Sequence, residues 1–221
     1  MLSYLGWRND QITANRVDRY DEQGVAQQFL GSWWKGAKPD RNKIKAVYSV
    51  RTDAVQRSYQ DYKSSLSIPN TEDFYHGTVL KCNLMSSGVF CSNSSCGICG
   101  ISQYGFSSEK LGLHVQWYKR FGLAYYLAPN SSKCHEYTEG YNGHRALLCC
   151  EVAQGNRFVA KGDMRNLKSA PAGYDTVYGQ PGVHKAGGSS LNYAEVAVYN
   201  PKAILPKWII FCEWNGTKLL L

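Results

Sequence analysis

From Phe74 onward the chain is a succession of short apolar or aromatic runs, and this pattern constrains the fold more than any other feature. The runs are "FYHGT", "LAYYLA", "HRALLCCEVA", "NRFVAK", "YAEVAVY" and "KWIIFCEW", separated by Gly, Pro, Asn and Ser. Runs of this length, bounded by turn residues, are typical of β-strands. We therefore predict an α+β fold whose sheet is mostly antiparallel.

The N-terminal part has a different pattern. Apolar residues recur at helical spacing in the first 34 residues, which predicts a helix that packs on the core. Residues 35–42 have linker composition, with Gly, Pro and charges but no apolar periodicity. We divide the chain into an N-terminal helical extension and linker (1–42) and a main domain (43–221). The predicted helix face carries Val25, Phe29 and Trp33.

A strand and a second helix follow the linker. The segment "KIKAVYSV" alternates between apolar and polar residues, as a half-buried strand does. After it, Thr52 or Asp53 can cap a helix that Pro69 stops. The strand is predicted to bury Ile44, Ala46, Tyr48 and Val50 on one face, and the helix to bury Val55, Tyr59, Tyr62 and Leu66.

Composition sets broad limits on the class of protein. With 221 residues and 43% hydrophobic content, the chain can bury one substantial core. It contains no run of about 18 apolar residues, and its first residues lack the apolar region of a secretory signal. We therefore expect a soluble monomer of the cytoplasm or nucleus, without membrane contact. The formal net charge of +8 would attract polyanions such as DNA or RNA, although the basic residues are spread along the chain.

Four of the eight cysteines fall within one interval of 18 residues, spaced C-x8-C-x4-C-x2-C. The segment between them is rich in small polar residues and poor in residues that form a core. A tetrahedral Zn²⁺ held by four thiolates would stabilise such a segment, and C-x2-C is the usual spacing of one ligand pair. We predict a zinc-stabilised loop whose ligands are Cys82, Cys91, Cys96 and Cys99.

Two disulfides are the alternative for these four residues, because an even cysteine count suits an oxidising compartment. The other cysteines have a structural pattern: Cys149 and Cys150 lie in an apolar strand pattern, and Cys212 follows "WIIF". A free cysteine in such a position behaves as a small hydrophobic residue. No Ser-His-Asp pattern, Walker loop or Rossmann glycine signature is present.

Five segments then fall into a recognisable order: "FYHGT", "GLAYYLAPNSSKCHEY", "LLCCEVAQGN", "YDTVYGQPG" and "NYAEVAVYNPKAILPKWIIF". In that order they resemble the catalytic domain of the poly(ADP-ribose) polymerases, the diphtheria-toxin-like ADP-ribosyltransferases. The resemblance spans roughly residues 44–211. It implies a split antiparallel sheet with flanking helices, a His-Tyr-Glu triad and NAD⁺ as substrate.

The resemblance also implies roles for individual residues. His76 resembles the histidine that holds the adenosine ribose of NAD⁺, and the adjoining Gly77 resembles the glycine whose backbone pairs with the nicotinamide carboxamide. Tyr126 resembles the triad tyrosine, and Glu195 the catalytic glutamate. The remaining residues of the implied NAD⁺ site are Thr78, which follows the glycine, and Tyr137, which would stack on nicotinamide.

One position departs from the family pattern. Where the family commonly has a serine that bonds the nicotinamide carboxamide, the alignment gives Cys134, whose thiol is a weak donor and acceptor. Ser132 takes this role if the helix register differs by two residues. A second departure is the cysteine-rich insert between the histidine and tyrosine segments, which replaces the usual loop over the NAD⁺ site. The tankyrases, which are members of the family, carry a zinc site in a comparable region.

The implied function is transfer of ADP-ribose from NAD⁺ to a protein or nucleic-acid acceptor with release of nicotinamide, a pentosyl transfer. Breaking the bond between nicotinamide and ribose creates an oxocarbenium-like centre, and a carboxylate at the ribose 2'-hydroxyl stabilises it. Two alternatives remain open at this stage. One is a catalytically weak module that binds NAD⁺ or ADP-ribose, and the other is a zinc-stabilised nucleic-acid-binding protein.

Overall fold

The computed structural model describes residues 14–33, 38–111, 119–182 and 191–213, and two β-sheets form its centre. One sheet has five strands in the order β1-β2-β9-β5-β3, and the other has four in the order β4-β8-β7-β6. The strands in chain order are β1 (Asn15–Arg16), β2 (Ile44–Ser49), β3 (Thr71–Gly77), β4 (Tyr125–Leu127), β5 (His144–Ala153), β6 (Arg157–Ala160), β7 (Thr176–Gly179), β8 (Glu195–Val198) and β9 (Ile204–Glu213).

The pairing of these strands confirms the predicted split, mostly antiparallel sheet. Among the described strands, β6 and β7 form the one parallel pair, and the other pairs are antiparallel. The two sheets meet where Tyr75 and Ala128 exchange backbone hydrogen bonds of 2.8 and 3.0 Å. This bridge joins the end of β3 to the end of β4, so it holds the two halves of the split sheet in a fixed relation.

Five α-helices lie in the described ranges: α1 (Arg19–Gly31), α2 (Asp53–Ser65), α3 (Leu84–Ser87), α4 (Gly97–Tyr104) and α5 (Ser131–His135). The first two occupy the segments predicted to be helical. In α2, Tyr59 is fully buried and its hydroxyl donates to Glu151 at 2.6 Å. The cysteine-rich segment contains α3 and α4, although its composition had predicted a loop.

The strand β2 differs from the simple alternation that its sequence predicted. A β-bulge between Ile44 and Ala46 shifts the register against β9. Ile44 therefore packs with Val47 on one face, whereas Ala46 and Tyr48 pack on the other. Both faces of β2 are buried, because helix α1 covers the face that alternation alone would leave to solvent.

Helix α1 packs directly on the five-stranded sheet. Asp18 caps its N-terminus through its side chain, and Phe29 at its buried face is fully inaccessible. The Phe29 ring lies 5.7 Å from those of Trp33 and Tyr75, in edge-to-face contact with both. The Phe29 carbonyl also accepts a hydrogen bond from Ser131 of α5 at 2.7 Å.

The structure leaves part of the predicted linker and the proposed domain boundary untested. Residues 35–37 of the predicted linker lie outside the described residues, and the proposed boundary between residues 42 and 43 stays a prediction. Within the described ranges, no helix combines the length and the apolar character needed to cross a membrane.

Replacement of Phe29 by alanine tests whether α1 is integral to the fold. We expect Phe29→Ala to lower the free energy of unfolding by about 3–5 kcal/mol, because it leaves a cavity between α1 and the sheet. Urea unfolding measures this loss. Gln27→Ala, an exposed position on the same helix, is the control and should change stability by less than about 0.5 kcal/mol. If Phe29→Ala left the free energy of unfolding unchanged, residues 1–42 would be a detachable extension.

Candidate functional site

The candidate site lies at the junction of the two sheets, where β3 ends beside β4. His76 is the last but one residue of β3, and its Nδ1 lies 3.0 Å from the carbonyl oxygen of Tyr126 on β4. This contact lies next to the Tyr75–Ala128 bridge, so the backbone of both strands fixes the position of the histidine ring. The structure thus brings His76 and Tyr126 into direct contact.

The contact with Tyr126 also determines which ring nitrogen of His76 carries the proton. Burial lowers the pKa of His76, and the hydrogen bond to the Tyr126 carbonyl only partly opposes this. The ring is therefore neutral at physiological pH. Because a carbonyl oxygen only accepts hydrogen bonds, we assign the proton to Nδ1, which leaves Nε2 as an acceptor.

Gly77 permits a close approach between β3 and α5. A Cβ at this position would lie 1.9 Å from the carbonyl oxygen of Cys134 and 3.1 Å from the Cβ of Tyr137. The contact of 1.9 Å with a backbone oxygen excludes a side chain here, so only glycine allows α5 to lie directly over the end of β3. The nearby Tyr137 side chain is half exposed.

Helix α5 carries the two residues that the sequence offered as carboxamide ligands. The thiol of Cys134 is buried and donates to the carbonyl of Tyr75 at 2.9 Å, so the backbone of β3 engages it. Burial raises its pKa to about 12, and the thiol stays protonated. Ser132 is also buried, and its hydroxyl donates to the side chain of Asn130, which caps α5.

Glu195 begins β8 and is buried, with an exposed fraction of 9%. Its carboxylate forms an ion pair with Lys133 of α5, whose ammonium also donates to the carbonyl of Tyr193 at 3.3 Å. An unpaired carboxylate would be costly at such a position, and Lys133 compensates its charge. Lys133 is the residue that the sequence analysis missed.

Both site tyrosines lie within electrostatic reach of this carboxylate. Burial raises the pKa of Tyr137, and Glu195 raises it further. The same two causes raise the pKa of Tyr126, with burial the larger. The Tyr126 hydroxyl donates to the carbonyl of Gly122 at 2.8 Å and accepts from the backbone N–H of Phe121 at 3.0 Å. The backbone of residues 121 and 122 thus anchors the hydroxyl within electrostatic reach of Glu195.

The four predicted zinc ligands form a compact cluster. The sulfur atoms of Cys82, Cys91, Cys96 and Cys99 all lie within 4.8 Å of one another. Two of these distances are 3.9 Å (Cys82 to Cys96) and 3.5 Å (Cys82 to Cys99). A hydrogen bond from Cys99 lowers the pKa of Cys96, and the backbone N–H of Lys81 donates to the Cys96 sulfur at 3.3 Å. Within the cluster, Cys96 is therefore the sulfur whose surroundings favour the thiolate.

The cysteine cluster is joined to the end of β3. The backbone N–H of Ile98 donates to the Val79 carbonyl at 3.1 Å, and Gly97 lies so close to Thr78 that a Cβ would be 2.1 Å from its hydroxyl oxygen. Beyond α4, the ring of Phe106 is in edge-to-face contact with His76 at 5.0 Å. The cysteine-rich segment therefore packs against the strand that carries His76, Gly77 and Thr78.

Comparison with protein families agrees with this geometry. The family model described as the poly(ADP-ribose) polymerase catalytic domain matches residues 22–214. The chain belongs to this family. The predicted family and fold are therefore confirmed. Members of this family are ADP-ribosyltransferases that use NAD⁺ as substrate. The match begins within α1, and it includes the cysteine cluster and every predicted site residue.

Within this family, the individual residue roles stay predictions. Tyr126 lies between the other two triad candidates: its carbonyl contacts His76, and its hydroxyl lies within electrostatic reach of Glu195. Tyr137 lies beside Gly77. Thr78 packs against the cysteine-rich segment through Gly97. Lys133 could have been suspected only from the expectation that a buried acid needs a partner, because 62 residues separate it from Glu195.

Replacement of Gly77 by alanine tests the close approach of β3 and α5. We expect Gly77→Ala to lower the free energy of unfolding by about 1–3 kcal/mol, because the added methyl group must displace the backbone of α5. Thermal unfolding measures the change. The control is Gly24→Ala in α1, where a Cβ meets nothing within 4 Å and stability should rise by about 0.5–1 kcal/mol. A stability gain in Gly77→Ala would contradict the account.

Proposed function

We propose that this protein transfers ADP-ribose from NAD⁺ to a protein or nucleic-acid acceptor and releases nicotinamide. The observation that carries the proposal is the buried Glu195, paired with Lys133 and within electrostatic reach of Tyr126, whose carbonyl contacts His76. A carboxylate held in position by an ion pair can stabilise positive charge that develops mainly in the transition state. Membership of the family supports the same reaction class.

In the proposed reaction, the protein positions NAD⁺, and nicotinamide departs from it as the leaving group. A ribose hydroxyl of the adenosine half would donate to Nε2 of neutral His76. The bare backbone of Gly77 would pair with the nicotinamide carboxamide, and the rings of Tyr126 and Tyr137 would hold the flat pyridinium. Aromatic contact with that cation is worth about 0.5–2 kcal/mol for each ring.

The bond that breaks joins the nicotinamide nitrogen to C1 of the ribose, and its electron pair leaves with nicotinamide. Glu195 would accept a hydrogen bond from the ribose 2'-hydroxyl and so stabilise the oxocarbenium-like centre. A nucleophilic oxygen or other group of the acceptor then forms a bond to C1. Lys133 would hold the Glu195 carboxylate in place, and its charge limits the cost of burying that group.

An NAD⁺-binding module of low catalytic activity is the second candidate, and one observation favours it. The thiol of Cys134 occupies the family's serine position, but it donates to the Tyr75 carbonyl. Nicotinamide would then lack one hydrogen bond to its carboxamide, unless Ser132 supplies it. The two candidates differ in whether Glu195 is needed for turnover or only influences affinity.

Measurement of nicotinamide release separates these candidates. We expect Glu195→Gln to reduce kcat by about 10²- to 10³-fold, because the amide carries no charge to stabilise the transition state. The control, Glu139→Gln, removes the same charge from an exposed residue paired with Lys81 and should retain activity. Turnover by Glu195→Gln at the wild-type rate would refute the catalytic role. NAD⁺ binding without turnover in the wild type would favour the binding module.

The four-cysteine cluster fits a structural zinc ion, and we propose that it binds one. Sulfur atoms around tetrahedral zinc, at about 2.3 Å from the metal, lie about 3.8 Å apart. The distances of 3.9 and 3.5 Å agree with this value, and they are far longer than the roughly 2.05 Å of a disulfide. The ligands would be Cys82, Cys91, Cys96 and Cys99, and the metal would stabilise the segment that packs on β3.

Replacement of one ligand tests the zinc proposal. We expect Cys96→Ser to lose the metal and to lower the melting temperature, because structural zinc contributes directly to folding free energy. Zinc content is measured on purified protein with a chelating dye. Cys212→Ala is the control, since this buried cysteine lies in β9 and the variant should keep about one zinc per chain. Absence of zinc from the wild type, or full zinc content in Cys96→Ser, would contradict the proposal.

A further inference from the structure

The strand β6 forms one edge of the four-stranded sheet. Within the part of the chain that the structure describes, β6 pairs with β7 on one side and with no strand on the other. An edge strand leaves alternate backbone N–H and C=O groups without a partner in the sheet, and these groups can pair with an added strand. The edge of β6 is therefore a template for an extended peptide.

An apolar groove adjoins this edge. Val159 in β6 is an exposed apolar side chain, with an exposed fraction of 43%. It lines a groove of about 470 Å³ together with Phe158 and Met164, and both of these also pack against the core of the second sheet. The remaining lining residues are Lys161, Gly162 and Asp163. A peptide paired with β6 could bury an apolar side chain here.

The charge around the groove selects the kind of peptide. Residues 157–168 carry four basic side chains and a single acidic one, a net charge of +3. The acidic residue, Asp163, is itself compensated by Arg120 at 2.9 Å and Arg165 at 2.8 Å. A surface of this sign attracts acidic segments and repels basic ones.

The groove is close to the catalytic residues. Across the sheet, Ala160 of β6 is opposite Gly179 of β7, which is opposite Glu195 of β8. Because neighbouring strands lie about 4.8 Å apart, about 10 Å separates the backbones of Ala160 and Glu195. Arg120, which binds Asp163 in the groove, directly precedes Phe121, whose N–H bonds to the Tyr126 hydroxyl.

We propose that the edge of β6 and the adjoining groove bind an extended acidic segment of a protein acceptor by strand addition. The role of that segment as acceptor rests on the proposed transferase function, whereas the binding itself does not. Backbone pairing along β6 would supply affinity, and the basic residues would supply selectivity for acidic sequences. Single-stranded nucleic acid matches the charge of the surface but lacks the amide groups that pair with an edge strand.

The test measures binding of two labelled peptides to the full chain by fluorescence anisotropy. The probe is an eight-residue peptide of alternating Glu and Val, and its counterpart alternates Lys and Val. We expect the Glu peptide to bind and the Lys peptide not to bind. Added salt should weaken the binding of the Glu peptide. Val159→Glu should weaken it by about tenfold, because like charges would then face each other, whereas Val159→Lys, which removes the same apolar contact but adds an attractive charge, should weaken it less.

Nicotinamide release without peptide is measured on the same variants and should equal that of the wild type, since Val159 is not among the residues proposed to contact NAD⁺. A wild type that releases nicotinamide but does not bind the Glu peptide overturns the proposal. Equal binding by Val159→Glu and Val159→Lys also overturns it. Tighter binding of an oligothymidylate of the same net charge would assign the surface to nucleic acid instead. Peptide binding without nicotinamide release would support the binding surface and refute its role in transfer.

Discussion

The contact between Gly77 and the backbone of Cys134 is the constraint on which the candidate site depends. It allows α5 to lie against the end of β3 at a distance that no side chain would permit. From that position α5 presents Lys133 to Glu195, which lies on the other sheet. The same approach places Tyr137 beside Gly77. A single glycine therefore links the strand expected to hold NAD⁺ to the carboxylate expected to act on it.

Several other features keep this junction fixed. The Tyr75–Ala128 bridge joins the sheets, and the Cys134 thiol bonds to the carbonyl of the same Tyr75. Helix α1 packs in the same hydrophobic cluster as Cys134 of α5, and there Phe29 contacts the Tyr75 ring. On the outer side, the cysteine-rich segment packs on Thr78, and Phe106 contacts His76. Substrate-positioning groups are effective only when their surroundings hold them rigidly, and here the support comes from three separate segments.

The sequence predicted those parts of the structure that depend on local pattern. Short apolar runs gave the strands, helical spacing gave α2 with its buried Tyr59, and cysteine spacing predicted a cluster that the structure brings together. The parallel pairing of β6 with β7 was not predictable, because register depends on contacts between distant segments. The bulge that turns Ile44 to the other face of β2 was not predictable for the same reason. The Lys133–Glu195 pair joins two elements that only the tertiary fold brings together.

The central claim is that His76 holds the substrate whereas Glu195 acts on the bond that breaks. The most direct test is calorimetric binding of a non-hydrolysable carbocyclic NAD⁺ analogue to the wild type, Glu195→Gln and His76→Ala. The account predicts that Glu195→Gln keeps its affinity within about threefold, whereas His76→Ala weakens binding by about fivefold or more through the lost hydrogen bond. Loss of binding in Glu195→Gln, with full binding in His76→Ala, would contradict it.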